Sequence, residues 1–162
     1  MIVAQAIFAA GCFWGVQAAF EELPGIISTR VGYTGGSVSN PDYQQVSTGK
    51  TGHAEAVEID YDPDIISYQQ LLDKFFAIHN PTTKDRQGPD IGSQYRSAVF
   101  YLNDEQKDAA VKKVLQLNKS GKYPSPIVTE IVPARRFFSA EDYHQHYLMK
   151  KGQTSCCLGK EC

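Results

Sequence analysis

The stretch AIFAAGCFWGVQAAF, residues 6–20, places one thiol, Cys12, between Gly11 and Gly15 and beside Phe13 and Trp14, with no charged side chain before Glu21. A cysteine attacks as its thiolate, and at an ordinary pKa of about 8.5 only a few per cent is ionised at neutral pH. A strand-to-helix turn is predicted here. Its free backbone N–H groups and the positive end of the helix dipole would favour the thiolate. The two aromatic rings offer an apolar wall to a small apolar group, although ordinary core packing would use them equally well. A lone cysteine by itself is a candidate nucleophile or a small buried hydrophobe. The remaining thiols, Cys156, Cys157 and Cys162, crowd the last seven residues. Structural disulfides would be spread through the chain, so thiols at its two ends point to redox chemistry in a reducing compartment.

A carboxyl and two phenols are the other candidates. In AEAVEIDYD, residues 54–62, Val57, Ile59 and Tyr61 share one face of a predicted strand and Glu58 and Asp60 the other. Glu55 falls on the apolar face. Burial there raises a carboxyl pKa and suits a general acid, while pairing with Arg30 or Arg96 would satisfy it as well. Tyr43 in NPDYQQ and Tyr95 in GSQYRS lie in long loops. Their hydroxyls can donate to a polar oxygen, or simply pack.

The elements that hold these residues follow from periodicity. A buried strand over residues 1–10 precedes a helix over 12–23 that PG ends. A strand over 26–33, a long Gly/Ser/Thr/Asn-rich loop, the strand at 54–62, and a helix over 67–80 with Ser67 and Gln70 spaced as a capping box come next. After a second long loop come a strand over 95–102, a helix over 103–121 ended by Gly121, a strand over 127–132, and a last helix over 139–151 capped by Ser139. Strand pairs interrupted by helices predict an α+β two-layer sandwich, a mixed sheet resembling a split βαβ (ferredoxin-like) core. Residues 1–150 are expected to form a single catalytic domain, and 151–162 a mobile tail without periodicity.

At 162 residues and a net charge of −2, the chain is long enough for a substantial core and offers nothing for nucleic acid or an anionic membrane. No apolar run is long enough to span a bilayer, and with Arg30 as the first basic residue there is no signal-peptide n-region, so a cytoplasmic protein is expected. STGKTG lacks the upstream glycine of a P-loop, having Gln44 in its place. The tail thiols with His144 or His146 lack zinc-site spacing, and those histidines, two apart on a predicted helix, are expected on a solvated face.

GCFWG, GYTGG, TGHAEAV and GSQYRS, in this order, resemble the A-type peptide-methionine sulfoxide reductases. The similarity runs from about residue 4 to 149, with AEDYHQHYL matching the family's late helix. It implies Cys12 as nucleophile, Phe13 and Trp14 holding the substrate methyl group, and Glu55 giving a proton to the sulfoxide oxygen. Tyr43 and Tyr95 would hydrogen-bond that oxygen, and Asp90 in GPDIGSQY would help to place the substrate backbone. The implied reaction reduces the S epimer of methionine sulfoxide, free or in proteins, leaving Cys12 as a sulfenic acid. Cys156 or Cys157 would condense with it and Cys162 would pass the disulfide to thioredoxin, with no metal or organic cofactor. Three tail cysteines, two of them adjacent, depart from the family's two separated ones, and Ser47 stands where many relatives have another cysteine.

Two rival functions are weighed beside this one. A cysteine-dependent acyltransferase or protease would need a histidine on Cys12, for which His53 is the loop candidate. A non-enzymatic redox sensor would use the thiols alone and needs no proton donor.

Overall fold

The structure is a computed structural model and describes residues 2–152; Cys156, Cys157 and Cys162, with residues 153–162 of the expected mobile tail, lie outside the described residues. In chain order the elements are β1 (Ala4–Ala10), α1 (Phe13–Glu21), β2 (Ile26–Thr34), α2 (Tyr43–Ser47), β3 (Ala54–Tyr61), α3 (Tyr68–Ala77), β4 (Arg86–Gln87), β5 (Asp90–Ile91), β6 (Ser97–Tyr101), α4 (Asp104–Ser120), β7 (Glu130–Pro133), β8 (Phe138–Ser139) and α5 (Tyr147–Lys150). Six strands form one mixed sheet in the order β7-β6-β1-β3-β2-β8, antiparallel throughout except for the β6–β7 pair. β4 and β5 form a separate small hairpin. The fold is α+β, as the order of predicted strands and helices requires.

Strand alternation decides the two faces. Phe8 of β1 stacks between Phe20 of α1, 5.4 Å between centroids, and Phe75 of α3, 5.0 Å. Val57, Ile59 and Tyr61 of β3 join them in the larger core under the helices. The opposite face buries Ile7, Ala9, Ala54, Ala56, Ala98 and Phe100, covered by Val132, Ala134 and Phe137. The caps predicted for α3 and α4 are present. Ser67 and Gln70 bond reciprocally at the start of α3, and Gly121 ends α4 in the left-handed conformation, φ 75°.

The structure differs from the sequence expectation in three places. The first long loop contains α2, started by an Asp42–Gln45 capping box. The second contains the β4–β5 hairpin and a 3-10 turn at Ser93–Tyr95. The helix expected over 139–151 does not form. Ser139 is instead in β8 opposite Gly32, the chain makes a 3-10 turn at Asp142–His144, His146 sits at φ 55°, and α5 alone is helical. Tertiary hydrogen bonds outweigh the helical pattern. The Gln145 side chain bonds both the N–H (3.0 Å) and the C=O (2.9 Å) of Val31, and the His146 N–H donates to Gln17 at 2.7 Å.

Candidate active site

Cys12 is the N-cap residue of α1, reached from β1 through Gly11 at φ 96°. A side chain at Gly11 would meet Gln87 at 2.9 Å, so both the backbone angle and the close approach call for glycine. Glu55 of β3 lies under the same turn. Its Oε1 accepts the Phe13 N–H at 3.1 Å, and the residue is only 2% exposed. Burial pushes the Glu55 carboxyl up to about 8, against the Phe13 hydrogen bond. The arginines that might have neutralised it are paired elsewhere, Arg30 with Glu58 and Arg96 with Glu130.

The thiol behaves differently from the expectation that the helix end would favour its thiolate. The backbone N–H groups of Trp14 and Gly15 favour the anion, although neither is hydrogen-bonded to the sulfur as a helix cap. Burial, and then the Glu55 charge, outweigh them and push Cys12 up to about 12, so the free site holds a thiol.

Tyr43 at the start of α2 and Tyr95 in the 3-10 turn feel both the Glu55 and the Cys12 charge. Both phenols are raised, first by burial and then by Glu55. Asp90 of β5 is raised by burial and acts electrostatically on Cys12, Glu55 and both tyrosines. Cys12, Trp14 and Asp90 line a cavity of about 740 Å³ that continues past His79 and Tyr123 to Leu148. Glu55, Tyr43 and Tyr95 are not among its walls. Phe13 points into the core, packed on Tyr33 and His144 at 5.7 and 5.3 Å, so Trp14 is the aromatic of the pair that meets the cavity. His53 does not touch the thiol; its two ring nitrogens engage the Gly36 N–H (3.0 Å) and the Val38 C=O (2.7 Å). An acyl-transfer pair is therefore not assembled.

Sequence reasoning missed two neighbours, His144 and Glu141. His144, expected on a solvated face, is 1% exposed, and its Nδ1 accepts the Trp14 indole N–H at 2.9 Å. His146 is half-buried and pairs with Glu21 at 2.7 Å. Glu141 accepts the Tyr33 hydroxyl at 3.0 Å, the Tyr43 N–H at 3.2 Å and the Tyr143 hydroxyl at 3.1 Å. Burial would raise Glu141, but its own amide and these donors hold it below the usual carboxylate range. The only signal for either residue was the AEDYHQHYL match; periodicity placed both on a helix that does not exist.

Cys12, Glu55, Tyr43, Tyr95 and Asp90 thus form one electrostatically linked group at the start of α1. Residues 4–162 match the family model described as peptide methionine sulfoxide reductase, and the chain belongs to that family of oxidoreductases. It is 58% identical, over 91% of its length and 70% of the relative's, to the peptide methionine sulfoxide reductase MsrA of Methanosarcina mazei. The reduced form of Mxr1 from Saccharomyces cerevisiae superposes with a TM-score of 0.86 at 36% identity, covering 93% of this chain and 87% of that one. Mxr1 in complex with Trx2 matches with a TM-score of 0.61 at 25% identity, over 90% of this chain and 84% of that one. No helix among the described residues is long and apolar enough to cross a membrane.

Proposed function

We propose that this chain reduces the S epimer of methionine sulfoxide, free or within proteins, with thioredoxin as the final reductant. The observation that carries the reading is Glu55, a carboxyl that keeps its proton to about pH 8 and is hydrogen-bonded to the first amide after Cys12. A sulfoxide pairs a polar oxygen with an apolar methyl group. Glu55, Tyr43 and Tyr95 are the donors for the oxygen, Trp14 with Phe13 behind it is the wall for the methyl, and Asp90 serves the substrate backbone. Proton donation makes the sulfoxide sulfur electrophilic. The Cys12 sulfur bonds to it, the oxygen leaves the substrate sulfur and ends on Cys12, and methionine departs. The thiol proton makes good the one that Glu55 gave. The methionine sulfur gains two electrons and the Cys12 sulfur, now a sulfenic acid, loses two.

A second thiol, Cys156 or Cys157, then condenses with the sulfenic acid and releases water. Cys162 exchanges into that disulfide, and a thioredoxin dithiol reduces it. Metal and organic cofactors have no part in the cycle. The deciding experiment supplies each separated sulfoxide epimer with thioredoxin and measures methionine. Sustained turnover of the S epimer alone is expected. No methionine from either epimer with the chain folded would overturn the reading in favour of a redox sensor.

A further inference from the structure

We propose that His144 is a positioning residue, which accepts the Trp14 indole N–H at Nδ1 and so fixes the ring that walls the Cys12 cavity. The inference rests on the proposed reading of Trp14 as the wall that meets the substrate methyl. An indole nitrogen only donates, so the 2.9 Å contact requires His144 Nδ1 to be a bare acceptor and the proton of the neutral ring to sit on Nε2. An imidazolium carries N–H on both nitrogens and would set one N–H against another. The histidine is enclosed by the rings of Phe13, Trp14, Tyr43 and Tyr143, at centroid distances of 5.3, 5.6, 4.5 and 4.1 Å. It therefore touches both aromatic residues assigned to the methyl and one phenol assigned to the oxygen.

Trp14 is clamped from two directions. His144 holds its N–H edge, and Tyr147 stacks on its face at 3.8 Å. His144 Nε2 has no hydrogen-bond partner; Glu141 Oε2 stands 4.0 Å away and favours the Nε2–H tautomer. The titratable groups facing the imidazole are Glu141 and Tyr143 from its own segment and Tyr43 from α2. Burial lowers the imidazole below its ordinary range and Glu141 partly offsets this, so the acceptor form is the one present at neutral pH. The contact joins residues 130 positions apart and docks the segment before α5 onto the catalytic turn.

Trp14 is the chain's only tryptophan, so a single indole N–H resonance reports on this bond. In the wild-type chain that resonance should lie downfield of a free indole and move as pH falls below the ordinary imidazole range, also in His146→Gln. In His144→Phe it should lie near the free position at neutral pH and cease to titrate. With that variant, KM for methionine (S)-sulfoxide should rise about tenfold with kcat within about twofold. His144→Asn, whose side-chain oxygen can accept the same N–H, should recover most of the loss. A folded His144→Phe with unchanged KM, or a wild-type resonance that is neither displaced nor pH-sensitive, would overturn the proposal. Should His144→Phe fail to fold, the wild-type titration and His144→Asn still decide it. Absence of methionine formation by the wild type would remove the proposed function, whereas the indole resonance would still test the bond.

Discussion

Glu55 and Cys12 both hold protons at neutral pH, and this shapes the chemistry at the residue scale. The charge of Glu55 is one of the causes that raise the thiol, so a protonated Glu55, the acid in the proposed reaction, also relieves the sulfur of that charge. Glu55→Gln should slow methionine formation in a single turnover by roughly 10²–10⁴, measured by rapid quench. In the wild type the same step should lose its acid as pH rises through about 8. Folding is linked to the same proton. The folded carboxyl titrates near 8 against 4.5 for the free group, so its stabilising effect is complete below 4.5 and is lost as pH rises through about 8. Glu55→Gln should therefore unfold like wild type near pH 4 and be more stable by on the order of 4 kcal/mol near pH 9, as read by urea denaturation. The sequence revealed Glu55 because a period of two is enough to place a carboxylate on a buried face. It hid His144 because that residue's burial comes from Phe13, Trp14, Tyr43 and Tyr143, most of them far away along the chain.

At the scale of elements, legibility follows the range of the interactions that decide each one. α3 and α4 were legible from local pattern because their caps, Ser67 with Gln70 and Gly121, act within one turn. Short elements such as α2 and the β4–β5 hairpin carry too few residues for a period to show, although they carry Tyr43 and Asp90 to the site. The segment 139–151 has a helical pattern but is held by side chains from other elements. Gln145 substitutes for a strand partner at Val31, bonding both its N–H and its C=O, while Gln17 accepts the His146 N–H. Gln145→Ala would leave the Val31 N–H without this acceptor. A loss of about 1–3 kcal/mol in unfolding free energy is expected, read as a lower urea midpoint, with the β2 edge exchanging its amide protons faster than the β1–β3 pair. An unchanged midpoint would mean that β8 and the contacts of Glu141, His144 and His146 hold the segment without Gln145. The same anchoring carries Glu141 and His144 to Tyr43 and Trp14, so this variant should also raise KM.

For the whole molecule, the proposed cycle needs the two ends of the chain to meet. β1 delivers Cys12 to one wall of the cavity, and Leu148 of α5 forms another part of the same lining. Cys156 follows Leu148 by eight residues, a span of about 27 Å at full extension, which is ample to cross a cavity of this volume. Cys157 has nearly the same reach, so distance alone does not separate the two, and the wider spacing to Cys162 favours Cys156 for the first exchange. The strained ring of a disulfide between adjacent residues disfavours a resting Cys156–Cys157 bond. Replacing all three tail cysteines with serine should leave the Cys12 step intact and remove only the relay. With thioredoxin present, such a chain should release one methionine per active site and stop. A small dithiol that reaches the cavity directly should restart it, since the sulfenic acid needs only a thiol to condense with. Continued turnover with thioredoxin in the triple variant would mean that thioredoxin attacks Cys12 itself and that the cysteines at the far end of the chain serve another purpose.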